Sequence, residues 1–218
     1  MPYPKMLRVR QRFEAPRVAD VAAAVSGELE RIGIRRRIQP GQSVAITAGS
    51  RGIANIALII RTVVQSLYDV GAKPFIVPAM GSHGGATAAG QAEVLAGYGI
   101  TQERVGAPIV SSMDVVSLPQ GNVEVPVYFD KAAAAADGTI LINRIKPHTS
   151  FHARYESGLM KMLAVGLGKH AQALAIHNLG VRGLREVMPE VGSQVLQHGN
   201  ILLGVAVVEN ACDETMLI

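Results

Sequence analysis

The sequence predicts an α/β fold, a mostly parallel sheet with helices on both faces. Three observations carry that expectation. Apolar residues make up 49% of the chain, while aromatics contribute 4% and Trp is absent. Aliphatic content of this kind suits strands buried on both faces beneath helices. Short β-like runs alternate with segments whose apolar residues recur at helical spacing. The runs end in Gly-containing turns that open into the next helix, the pattern of βα units with right-handed crossovers. At 218 residues, a single domain of generous size accommodates the whole chain.

Taken in order, the residues up to about Asp20 show little periodicity, apart from an alternation over 7–13 that predicts a strand. Arg35-Arg36-Arg37, following Arg31, is the one dense basic cluster and reads as a solvated helix end before Pro40-Gly41. Ser43–Ala48 reads as a strand, Gly49-Ser50-Arg51-Gly52 as a tight turn, and 53–70 as a helix closed by Gly71. The pattern repeats with a strand at 74–80, a turn at Gly81-Ser82-His83-Gly84-Gly85 and a helix at 87–98. Residues 123–129 alternate like a strand, 131–136 form a short helix, and 139–145 form another strand. Helices are expected at 155–165, 170–179 and 184–198, and a last strand at 201–208. No repeat of solenoid period is present.

The net charge of +4 and isoelectric point near 9.4 suit an anionic ligand, either a carboxylate or a phosphorylated cofactor. Nucleic acid is the poorer match, because the basic residues are scattered and no aromatic stacking platform accompanies them. Cys212 stands alone, so an internal disulfide is excluded, and no zinc-type Cys/His spacing surrounds it. Neither a secretory signal nor an 18-residue apolar run is visible, and the expected location is cytoplasmic.

In an open parallel sheet, ligands sit beyond the carboxyl ends of the strands, where helix N-termini present free N–H groups. Arg51, His83 and His148 each fall just after a predicted strand and can therefore line one crevice. His83 sits in a turn with little bulk around it, so a ligand can approach the ring closely; the bland alternative is a loop histidine. His148 follows Pro147, whose fixed φ limits the turn, although an ordinary surface histidine reads the same way. His152, His170 and His198 are assigned to that ordinary class.

Lys161 lies in an otherwise apolar segment, which would desolvate its amine and lower its pKa. A snorkelling lysine is the competing reading. His177, alone, is a helix histidine. Arg51 offers a bidentate fork to a carboxylate or phosphate, and Ser50 and Thr47 are hydroxyl donors that could equally close the turn. The lysine and spacing of a phosphate-binding P-loop are absent.

The words Ile145-Lys-Pro-His-Thr-Ser-Phe and Glu156-Ser-Gly-Leu-Met-Lys-Met-Leu-Ala-Val-Gly-Leu-Gly-Lys169 resemble the nickel-pincer-dependent lactate racemase family and its 2-hydroxyacid racemase and epimerase relatives. The likeness runs from about Val44 to Glu209 and implies the family's Rossmann-like N-terminal domain. It implies nickel and a pyridinium-3-thioamide-5-thiocarboxylic acid mononucleotide as cofactor, tethered to Lys161, with His177 as the nickel ligand. His83 and His148 correspond to the family's two acid/base histidines, and Arg51 to the arginine of the first βα turn. The implied substrate is a small anionic 2-hydroxy acid. A homo-oligomer is compatible with the sequence, which is silent on oligomeric state. Family members carry a second domain, so the resemblance also implies that the C-terminal domain is missing from this chain. A non-catalytic cofactor-binding domain is accordingly the alternative expectation, and a divalent-metal hydrolase using the histidines ranks third.

Overall fold

The computed structural model describes residues 3–218. A five-stranded sheet runs in the order β2-β1-β5-β6-β7, and helices cover both of its faces, as expected. Its strands are β1 (Ser43–Ala48), β2 (Lys73–Pro78), β5 (Gly138–Arg144), β6 (Ile201–Glu209) and β7 (Thr215–Leu217). The first four are parallel, and β7 adds an antiparallel edge. A separate antiparallel ribbon pairs β3 (Val115–Leu118) with β4 (Val127–Asp130).

The helices are α1 (Val21–Arg31), α2 (Ile34–Arg37), α3 (Ile56–Tyr68), α4 (Ala88–Gly97), α5 (Gln102–Val105), α6 (Lys131–Ala134), α7 (Gly158–Lys161), α8 (Lys169–His177), α9 (Gly180–Arg182) and α10 (Met188–His198). None is long and apolar enough to cross a membrane.

The two-residue period of the strands divides the interior into two cores. Val44, Ile46, Ile76, Ile140, Ile142, Val205 and Val207 face α1 and α3. Ala45, Val77 and Leu141 face the other way, onto Met162, Leu163, Ala173, Ile176, Val191 and Val195 from the α7, α8 and α10 side. Alternate side chains of a strand point to opposite faces, so a strand apolar throughout must be covered twice. The observed layering follows from that requirement.

Several elements differ from the sequence expectation. Residues 7–13 form no strand; Leu7 and Val9 are more than four-fifths exposed, and no partner strand takes their main-chain groups. The expected strand at 123–129 shortens to β4 and lies in the ribbon rather than the main sheet. Pro126 has no N–H to give to a ladder, and pairing begins only after it, while Val123 and Val125 are still buried. The helix expected from Tyr155 starts instead at Gly158, whose φ of +74° breaks the chain direction. Helix α1 and strands β3 and β7 come as additions. Asp20 starts α1 by accepting the Ala23 N–H at 2.9 Å, and Val21, Val25 and Leu29 recur every fourth residue on its buried face. Arg35, Arg36 and Arg37 are exposed on α2, as expected of a solvated helix end.

Candidate functional site

The strand order places the site. From β1 the chain moves outward to β2, then returns to the far side of β1 as β5. The loops leaving β1 and β5 therefore part in opposite directions, and in sheets of this kind the crevice forms where they separate. Main-chain pairing between β1 and β5 is registered from Val44↔Gly138 to Ile46↔Ile140. One residue further, the Thr47 hydroxyl accepts the Ile142 N–H at 3.0 Å. Thr47 is thus fully buried as a structural link between the two strands and does not line the crevice, contrary to its expected place among the cofactor-binding residues.

A cavity of about 320 Å³ opens there. It is lined by Ser50 and Arg51 after β1, His83 after β2, His148 after β5, Lys161 at the end of α7 and His177 at the end of α8. The structure therefore brings together every expected site residue except Thr47. His152, His170 and His198 are exposed and lie outside the cavity, in keeping with their assignment as ordinary histidines.

Each wall is held by groups that sequence reasoning passed over. The His83 turn is clamped from α4. Gln91, fully buried, donates from Nε2 to the carbonyls of Gly81 at 2.9 Å and His83 at 3.2 Å. Gly84, at φ +66°, lies against Gly90 so closely that a Cβ on Gly90 would stand 2.1 Å from the Gly84 carbonyl oxygen. The Tyr98 hydroxyl donates to the Ser50 carbonyl at 2.9 Å. The Ser50 hydroxyl and His83 Nδ1 are themselves hydrogen-bonded.

The His148 loop is organised by Glu156. One carboxylate oxygen accepts the His148 N–H at 2.7 Å, and the other accepts the Ala153 N–H at 3.0 Å. Ser157 pairs with both the N–H and the carbonyl of Lys146. The His148 ring rests on Phe151, with ring centroids 4.2 Å apart, and its Nδ1 accepts the Ser150 N–H at 3.1 Å. Arg144 is ion-paired with Glu209, whose other oxygen accepts the Ala54 N–H at 2.6 Å, so the β6 end fastens the Arg51 loop. The signal for Glu156 and Ser157 lay in the word Glu-Ser-Gly-Leu-Met-Lys, where a carboxylate and a hydroxyl precede the helix. Nothing local marked Gln91 or Tyr98, because their partners lie in other loops.

Lys161 ends α7, and the next turn, residues 162–166, is wider than an α-turn: the Leu167 N–H reaches the Met162 carbonyl, five residues back, at 2.9 Å. Such single π-turns concentrate at functional sites. Gly166 packs on the end of β2, where a Cβ would come within 2.8 Å of the Ala79 carbonyl oxygen. This turn lets α7 and α8 approach the strand ends.

Positive charge dominates the electrostatics. Desolvation lowers the pKa of Lys161, and the Arg51 and Lys146 charges lower it further. His83 is pulled below its ordinary value by partial burial, then by Arg51, Lys161 and His177. His148 is lowered by desolvation and by Lys161, against an opposing pull from Glu156. His177 is lowered by desolvation and by Lys161. The cavity thus combines a cationic wall with imidazoles biased toward their neutral form, able to accept a proton or donate a lone pair to a metal.

No protein-family model and no curated protein matches the sequence.

Proposed function

We propose that the chain is a racemase or epimerase of a 2-hydroxy acid, working by reversible hydride transfer to a nickel-pincer nucleotide tethered to Lys161. One observation carries the reading: the five side chains expected from the resemblance, Arg51, His83, His148, Lys161 and His177, come from five separate segments and line one cavity.

The residues fit the cofactor. Its attachment needs an amine that is free of its proton part of the time, and burial among cations favours that form of Lys161. Its nickel needs one protein donor beside those the nucleotide supplies, and His177, on the same cavity, is biased toward the neutral imidazole that can bind a metal. When bound, the cofactor supplies a hydride acceptor for the substrate's α-hydrogen. His83 and His148 take and return the hydroxyl proton, and two imidazoles lining one cavity would allow either enantiomer to be used if each served one face of the substrate. Arg51 holds the substrate carboxylate or the nucleotide phosphate through its fork.

The test is intact-protein mass spectrometry and metal analysis of chain produced together with the cofactor-synthesis enzymes. The expected result is an adduct on Lys161 with stoichiometric nickel, both lost in Lys161→Ala. An unmodified Lys161 under those conditions refutes the proposal.

A further inference from the structure

The Ser50–His83 pair has a chemical meaning that the family resemblance does not supply. Both partners are fixed from outside the cavity: Tyr98 holds the Ser50 carbonyl at 2.9 Å, and Gln91 holds the His83 carbonyl at 3.2 Å. The two backbones are therefore held by α4 and by Tyr98 at its C-terminus, which sets the Ser50 hydroxyl beside the His83 ring. Since Nδ1 is occupied by the Ser50 hydroxyl, Nε2 is the ring nitrogen left for the cavity.

A neutral imidazole carries one N–H, and the direction of the Ser50 bond decides which nitrogen has it. If the hydroxyl donates, Nε2 carries the hydrogen and cannot accept a proton from a substrate. If the hydroxyl accepts, Nδ1 carries the hydrogen and Nε2 presents a lone pair. Arg51, Lys161 and His177 are the charged or chargeable groups acting on this ring. A lone pair directed toward cations is favoured over an N–H dipole directed at them. An accepting hydroxyl also serves the protonated ring without rearrangement, because Nδ1–H stays bonded to Oγ in both forms.

We propose that Ser50 is a positioning residue that accepts the Nδ1–H of His83 and so keeps Nε2 as a lone pair facing the cavity. Its consequence for catalysis rests on His83 acting as an acid/base as proposed above; the tautomer itself does not. Ser50 was expected to contact the cofactor, and this assignment turns its hydroxyl to the histidine instead.

The experiment is imidazole nitrogen NMR of the chain without cofactor, at a pH where His83 is neutral, with the resonance assigned by its disappearance in His83→Gln. The wild-type spectrum should show a protonated Nδ1 and an unprotonated Nε2. Ser50→Ala should move His83 to the Nε2–H tautomer that an unrestrained imidazole prefers, while Ser50→Thr, which keeps the hydroxyl, should retain the wild-type pattern. A protonated Nε2 in the wild type overturns the proposal whether or not Ser50→Ala folds. So does an unchanged tautomer in Ser50→Ala. In cofactor-loaded protein, Ser50→Ala should lower kcat by about 10- to 100-fold, as loss of an orienting partner does, with the Lys161 adduct and nickel content intact. Loss of the adduct in Ser50→Ala would overturn the assignment in favour of a cofactor contact. A chain that shows the Nδ1–H tautomer but never acquires an adduct refutes the proposed function and supports the Ser50 assignment.

Discussion

Asp130 and Lys169 form an ion pair in which both residues are fully buried, and removing one partner offers the sharpest test of how the site is braced. Lys169 Nζ lies 2.8 Å from Asp130 Oδ2 and also donates to the Pro78 carbonyl at the end of β2. Asp130 Oδ1 caps α6 by accepting the Ala133 N–H at 2.8 Å. Truncation of one partner of a buried pair costs about 3–5 kcal/mol, because the other charge is left uncompensated. Loss of a helix cap adds about 1 kcal/mol. Burial already lowers the Lys169 pKa, and Asp130 is what opposes it, so Lys169 can shed its proton once Asp130 is gone. That escape limits the loss to the lower end, about 4 kcal/mol for Asp130→Ala, a large share of the 5–15 kcal/mol typical of a domain. Because the chain has no Trp, urea unfolding at pH 7 is best followed by far-ultraviolet circular dichroism. The double variant Asp130→Leu with Lys169→Met should recover most of the loss, since apolar replacement of a buried pair is often neutral. A single variant within about 1 kcal/mol of wild type, or a double variant no better than the single, would refute this account.

Three further outcomes are expected. Gln91→Leu leaves the Gly81 and His83 carbonyls without their donor and should cost about 1–3 kcal/mol, read as a lower urea midpoint; an unchanged midpoint would show that the His83 turn stands without α4. The pH dependence of stability follows from the lowered pKa values of His83, His148 and His177, all from an ordinary 6.5. Below that value the unfolded chain binds more protons than the folded one, so stability is intact above about pH 6.5 and falls as the pH drops toward the folded values. Replacing all three with Gln should flatten that part of the profile, and an unaltered profile would assign the dependence to other groups. Arg51→Ala should weaken binding of a small 2-hydroxy acid by about 10- to 100-fold, the worth of a charge-assisted hydrogen bond, with calorimetry as the readout and unchanged affinity as the contrary result.

How much could be read in advance depended on whether the cause was local. The strands β1, β2, β5 and β6 and the helices following β1 and β2 were legible because apolar periodicity and Gly-containing turns mark them within a few residues. Arg51, His83 and His148 were placed at the cavity by one rule about strand ends, and the structure sets all three there. Thr47 was named only as a hydroxyl donor near the turn, and its hydroxyl is used instead by Ile142, a partner 95 residues away. The strand expected at 7–13 had the right alternation, but alternation states only that a segment could pair, and no strand is in place beside it. Helix α1 escaped because its buried positions are Val21, Val25 and Leu29 among alanines, a weak contrast before its capping by Asp20 is known.

The remaining step is why residues from strand ends meet residues from helices. Arg51, His83 and His148 descend from strand ends, whereas Lys161 and His177 come from helices packed on one face, so no sheet rule brings the two sets together. The connection is made at the end of β2. Pro78, five residues before His83, takes the hydrogen bond from Lys169 at the start of α8, eight residues before His177. Next to it, the Ala79 carbonyl meets Gly166, where only a hydrogen fits. The Gly81 N–H then reaches the Gly166 carbonyl at 3.4 Å. The buried pair and the bare glycine therefore set the spacing between an acid/base histidine and the helices bearing the amine and the proposed metal donor. It follows that Gly166→Ala, a change at the cavity lining that adds only a methyl group, should separate the two sets and impair Lys161 modification. The variant should leave Arg51-dependent anion binding largely intact, since that arginine is held from the β6 side through Glu209 and Ala54. Equal loss of both functions in a folded Gly166→Ala variant would show that the cavity is braced as one unit instead.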